Sequence, residues 1–130
     1  YVREMNVSNE VDYLGVMSNE DLPSIYEKLD LFIFPTLFDE SLGLVPLEAM
    51  ANSIPSICSN FNAVKSYIDD GCNGYLFEKG NTKELVEKII GYVNLNQEEK
   101  EKLRQAAYEK ALKFKDLNVG LNLYNEFIKL

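Results

Sequence analysis

At 130 residues, 46% apolar and 12% aromatic, the chain fits one domain and has the balance of a globule rather than a disordered segment. Its 21 acidic and 13 basic residues give a formal charge of -8, which argues against nucleic acid or an anionic membrane surface as a partner of this piece. With no histidine, a His-based triad, a His general base and a His-ligated zinc site are excluded within the chain.

Val11 to Leu14 is a short apolar-rich run closed by Gly15 and reads as a strand. Ser18 and Asp21 resemble a capping pair, and Leu22, Ile25, Tyr26 and Leu29 follow at helical spacing. Leu31 to Phe34 (LFIF), ended by Pro35, suits a strand buried on both faces. The loop TLFDES leads into an apolar helix containing LEAMA, and Pro55 opens a strand from Ser56 to Ser59. A helical turn from Val64 to Ile68 precedes DDGCNG, a strong turn signal, and then the strand Tyr75 to Phe77. Asp69 and Asp70 lack the D-x-D spacing of a metal-binding pair and read as turn formers.

In the last third, Thr82 can cap a helix with Leu85, Ile89 and Val93 on one face. Gln97 to Phe114 is a charged helix with the stripe Leu103, Ala107, Ala111 and Phe114. Asp116 can cap a third, carrying Leu117, Leu121, Tyr124 and Ile128. Alternating strands and helices imply a Rossmann-like α/β fold with a parallel sheet, flanking helices and a helical C-terminal third. Cys58 and Cys72 read as buried free thiols. The longest apolar run, Leu29 to Leu37, holds Asp30 and is far too short to span a bilayer. No signal-peptide pattern and no initiating Met are present, so the opening YVREMNVSNEV reads as mid-chain and a cytoplasmic origin is expected.

Ligands of open α/β sheets sit outside the carboxyl ends of the strands, so the informative segment follows LFIF. Pro46 belongs in the first turn of a helix, which therefore begins near Leu42 or Gly43. The amides of Gly43, Leu44 and Val45 would then be unpaired, and Gly43, lacking Cβ, would let a phosphate approach the backbone. Glu40 and Glu48 frame this turn with seven residues between them. A carboxylate beside a diphosphate is repelled by it, so its use would be to accept bonds from hydroxyls, as of a ribose or a sugar. Spacing alone does not separate these two from an ordinary loop acid and helix-face acid.

The stretch FPTLFDESLGLVPLEAMANSIPSICSN resembles the E-x7-E signature of the large retaining glycosyltransferase family 4, of GT-B fold, which reads roughly P-S-x-x-E-G-F-G-L-x-x-L-E-A-M-A-x-G-x-P-V-I-A-S. DYLG before it is similar to the family's F-x-G strand end, DDGCNGYLF to its D-G-x-N-G turn, and LYNEF to its aromatic-bearing last helix. The resemblance implies that residues 1–130 are the donor-binding, C-terminal half of a two-domain enzyme, incomplete at its N-terminus and lacking the acceptor domain. It further implies transfer of a hexose-type sugar from a nucleotide diphosphate sugar, with retention and without metal or other cofactor. Glu40 would place the donor's anomeric carbon as the catalytic residue, Gly43 and Leu44 would present amides to the diphosphate, and Glu48 would bond the ribose. Val16 and Met17 fall where the family meets the nucleobase.

Several positions depart from the pattern. Ser53 replaces a glycine, Asn62 and Ala63 a Gly-Gly pair, and Ser66 a glutamate. The family's basic pair, an arginine and a lysine, would lie before residue 1, and Arg3 and Lys65 do not match it. The piece alone is therefore expected to bind weakly and not to catalyse. The expected partners are the nucleotide sugar and the acceptor domain, with peripheral membrane association only through the full-length protein. A sugar-nucleotide epimerase of the same architecture, or a non-catalytic relic, are the alternatives.

Overall fold

The computed structural model describes residues 4–18, 20–38 and 43–114. Glu40 and the expected helix after Asp116 lie outside these. Three strands, β1 (Phe32–Phe34), β2 (Ser56–Ser59) and β3 (Gly74–Phe77), form a parallel sheet in the order β1-β2-β3. Phe32 pairs with Ser56, and Ser56 with Gly74. All four residues of β2 are buried, and because side chains alternate, both faces of that strand are covered. The strand buried on both faces is thus β2 and not β1, whose Ile33 is 38% exposed and which pairs only with β2 among the described residues.

Among the described residues, four α-helices accompany the sheet: α1 (Leu22–Tyr26), α2 (Leu44–Ala51), α3 (Thr82–Val93) and α4 (Gln97–Leu112). α2 packs on β1 and β2 with α4 against it, and α3 packs on β2 and β3. Small residues on α4, Ala107 and Ala111, admit a close approach to Met50 of α2 and to Cys58, Val64 and Tyr67 in the main core. A second core joins Tyr26, Ala49 and Ile54 with Leu22, Leu29 and Phe32.

Four further expectations from the sequence need correction. Residues 11–14 are irregular and exposed rather than a strand; Tyr13 is 93% exposed, so the run has an apolar pattern but no ladder to join. α3 is capped by Asn81, whose side chain accepts from the Glu84 amide, and Thr82 is its first residue. Tyr92 is buried in place of Val93, its hydroxyl donating to the Asp30 carbonyl at 2.6 Å. Cys58 is a buried free thiol, but Cys72 is exposed in its turn.

The charged helix starts at Gln97 as read, with Leu103, Ala107 and Ala111 buried and a capping box between Asn96 and Glu99, but it ends at Leu112, and Phe114 is half-buried in the turn beyond it. Asp69 and Asp70 stand at the turn into β3, where Asp70 accepts from the Leu76 amide and the pair meets Lys110 and Lys88 at 2.9 and 3.0 Å. No helix among the described residues is long and apolar enough to cross a membrane.

Candidate functional site

The amino end of α2 follows the connection from the carboxyl end of β1 and touches the segment that follows β2. Gly43 is its N-cap in the left-handed region, at φ 57 and ψ 57. No side chain among the described residues caps the helix. With Pro46 lacking an amide hydrogen, the N–H groups of Leu44 and Val45 are the first-turn donors that no helix carbonyl can reach. The positive end of the helix dipole lies at the same point.

Gly43 is needed for a different reason from the one its sequence context suggests. A Cβ there would lie 3.1 Å from the Tyr67 hydroxyl oxygen and 3.2 Å from Phe61, so the vacant side faces the protein interior and not a ligand. The Tyr67 hydroxyl donates to the Gly43 carbonyl at 2.6 Å, and Tyr67 is itself held in the core between Val64 and Phe114. The loop after β2 therefore clamps the entrance of α2 from beneath, which leaves the Leu44 and Val45 side chains exposed above.

Glu48 lies one turn further on, exposed, between two open hollows. One, of about 340 Å³, is bounded by Leu44, Leu47, Glu48, Tyr108, Leu112 and Phe114; the other, of about 330 Å³, by Leu22, Pro23, Tyr26, Glu48 and Asn52. Among the described residues, neither is lined by a lysine or arginine. The Tyr26 hydroxyl donates to Glu48 Oε2 at 3.4 Å, and burial, followed by the nearby Glu48 charge and this hydrogen bond, raises the tyrosine pKa. Asn52 donates to the Glu48 carbonyl at 2.9 Å and closes the far end of the helix.

Of the residues singled out in the sequence, Leu44 and Glu48 border one hollow, with Gly43 beneath its entrance. Val16 stands fully exposed and Met17 half-buried on the segment after Gly15, and neither lines the hollows around Glu48. Glu40 lies outside the described residues. Tyr26 and Tyr67 went unnoticed as site residues, because each acts on a partner more than twenty positions away. Phe114, read as part of the apolar stripe, also forms a wall of the hollow beside Glu48, together with Tyr108. Among the described residues no group of three or more Cys, Asp or Glu is placed to hold a metal ion.

The departures at the neighbouring turns differ in how well they fit their backbone. Ser53, where a glycine was expected, adopts φ 61, a conformation that strains any residue with a Cβ. Ala63 instead sits in the right-handed region at φ -64, which needs no glycine, and Ser66 donates to the Ala63 carbonyl at 2.6 Å.

A family model described as glycosyl transferases group 1 matches residues 1–110. An uncharacterized glycosyltransferase of Methanocaldococcus jannaschii is 32% identical over 114 residues, 88% of this chain and 32% of that protein. The capsular polysaccharide biosynthesis glycosyltransferase CapM of Staphylococcus aureus is 33% identical over 98 residues, 68% of this chain and 26% of CapM. The chain thus spans about a third of the length of such relatives. Among solved structures, Anabaena HepE in complex with UDP and glucose superposes with a TM-score of 0.86 at 21% identity, covering 99% of this chain and 35% of that one. The C-terminal domain of LpcC from Francisella tularensis superposes at 0.78 and 24% identity, covering 89% of this chain and 59% of that one. At such identities the structural likeness is one of fold, the GT-B Rossmann-like domain, whereas the family match rests on the sequence itself: the chain belongs to the glycosyl transferases group 1 family.

Proposed function

We propose that the chain is the donor-binding domain of a retaining, metal-independent glycosyltransferase that moves a hexose-type sugar from a nucleoside diphosphate to an acceptor hydroxyl. The observation that carries this reading is the entrance of α2, where two amides without a side-chain cap lie one turn before the exposed carboxylate of Glu48. Amides at a helix start bind phosphate without net positive charge, which reconciles a diphosphate ligand with a domain of charge -8. Glu48 accepts bonds from ribose hydroxyls, and Glu40, by the family resemblance, sits beside the donor sugar. Val16 and Met17 are assigned to the nucleobase on the same resemblance. The complexes of Anabaena HepE with UDP and with UDP-glucose support a uridine nucleotide as the first donor to try.

In the reaction the bond from the anomeric carbon to the β-phosphate oxygen breaks as the acceptor oxygen bonds to that carbon on the same face. The acceptor proton passes to the departing phosphate. The amides of α2 stabilise charge gathering on the diphosphate, and an acceptor domain closing over the donor excludes water. The departures that favour a non-catalytic relic, Asn62, Ala63 and Ser66, lie outside α2, and Ala63 takes a right-handed backbone that needs no glycine, which supports the enzymatic reading over the relic.

The test uses the full-length protein with UDP-, GDP- and ADP-hexoses, scoring nucleoside diphosphate release and the anomeric configuration of the product by proton NMR, with and without EDTA. Transfer with retention that survives EDTA is expected, and Glu40→Gln should lose it. An inverted product, or activity abolished by EDTA, would contradict the proposal.

A further inference from the structure

Glu48 is an exposed glutamate on a helix, with three rotatable side-chain bonds and a hollow on either side of it. Fixing such a side chain on ligand binding costs on the order of 1 kcal/mol or more in rotamer entropy. The group that restrains it comes from a separate helix. Tyr26 ends α1, is only 7% exposed, and packs its ring in the second core with Ala49 and Ile54, on and just after α2. Its hydroxyl meets Glu48 Oε2 at 3.4 Å. α2 and α1 are thus joined twice at one place, by the ring in the core and by the hydroxyl on the carboxylate.

The geometry points to Tyr26 as the positioning residue of Glu48: its hydroxyl holds Oε2 and turns the other carboxylate oxygen toward the hydroxyls of the bound nucleotide. This rests on the donor-site reading of Glu48 given above. A tyrosine fixed by its ring is a rigid donor, so the carboxylate is oriented before the ligand arrives and less freedom is lost on binding. The 3.4 Å separation is long for an O–H to carboxylate bond and leaves room for it to shorten when a ligand draws on the opposite oxygen.

The test is a double-mutant cycle in the full-length protein. Dissociation constants for UDP, GDP and ADP, and for their 2′,3′-dideoxy counterparts, are measured with the wild type, Tyr26→Phe, Glu48→Gln and the double variant. Tyr26→Phe keeps the ring and removes only the hydroxyl. For the nucleotide that binds best, it should weaken affinity about threefold and Glu48→Gln about tenfold, with the double variant no weaker than Glu48→Gln alone. With the dideoxy nucleotide the Tyr26→Phe effect should vanish, which a purely structural role would not produce. If Glu48→Gln weakens binding while Tyr26→Phe changes nothing, or adds independently, the positioning role is overturned and the donor-site reading stands. If Glu48→Gln has no effect, or no nucleotide binds, the donor-site reading falls and takes the Tyr26 inference with it.

Discussion

Substituting Gly43 with alanine separates the two reasons a glycine can be needed at the entrance of α2. Alanine at φ 57 pays the left-handed penalty of roughly 1–2 kcal/mol. Its Cβ would also stand 3.1 Å from the Tyr67 hydroxyl and 3.2 Å from Phe61, closer than ordinary contact, inside a packed core. Crowding of that kind costs roughly 1–3 kcal/mol. The sum is roughly 2–5 kcal/mol, equivalent to a fall of roughly 7–18 °C in Tm for a domain of this size. Gly15 is the control, because it too has positive φ, 70, but nothing lies within 4 Å of its Cβ position. Gly15→Ala should therefore cost only the backbone term, roughly 1–2 kcal/mol. Urea unfolding of both variants against wild type reads the difference, and the losses of Gly43→Ala and Tyr67→Phe should be less than additive in the double variant, because the second removes the oxygen the new Cβ would crowd along with its bond to the Gly43 carbonyl. Equal losses at the two glycines would refute the clamp of Gly43 by Phe61 and Tyr67.

Other consequences follow from the same geometry. Ser53 at φ 61 carries strain that glycine relieves, offset in part by the freedom glycine adds to the unfolded chain, so Ser53→Gly should stabilise by about 0.5–1 kcal/mol, while Ser53→Ala should not, as urea titration will show. Native protein at pH 8 should react promptly with a thiol reagent at Cys72 alone, and Cys58 should react only after unfolding. Burial pushes the Cys58 thiol from its ordinary 9.0 up to about 12, so the folded state keeps its proton where the unfolded chain has lost it. That contribution is complete below pH 9 and is lost as pH rises toward 12, by about 2 kcal/mol at pH 10.5; Cys58→Ala should show a correspondingly shallower decline between pH 8 and 10.5 in chemical denaturation.

Much of the fold was legible because its signals are local. Pro55 before SICS, the DDGCNG turn before β3 and the stripe of Leu103, Ala107 and Ala111 each need only a short window, and each marks the element found there. Misreadings arose where neighbouring residues compete. Asn81 and Thr82 can both cap, and Tyr92 and Val93 can both line an apolar face, so tertiary contact with Asp30 chose Tyr92. Whether Val11–Leu14 joins a sheet depends on a partner strand, which apolar pattern alone does not reveal. The family resemblance, rather than the spacing of Glu40, Gly43 and Glu48, singled out the candidate segment, and neither could show that the missing Cβ of Gly43 faces Phe61 and Tyr67. Nor could either show the tyrosine on Glu48, since that contact joins residues 22 positions apart.

The central claim is that the entrance of α2 receives the diphosphate of the donor. Amide-resolved NMR of this chain during titration with UDP, GDP and ADP tests it most directly. Binding of one nucleotide in the millimolar range is expected, with the largest shifts at the amides of Gly43, Leu44 and Val45, smaller ones through Glu48, and further changes at Val16 and Met17. Saturable binding whose shifts fall elsewhere, with the α2 entrance unmoved, would contradict it.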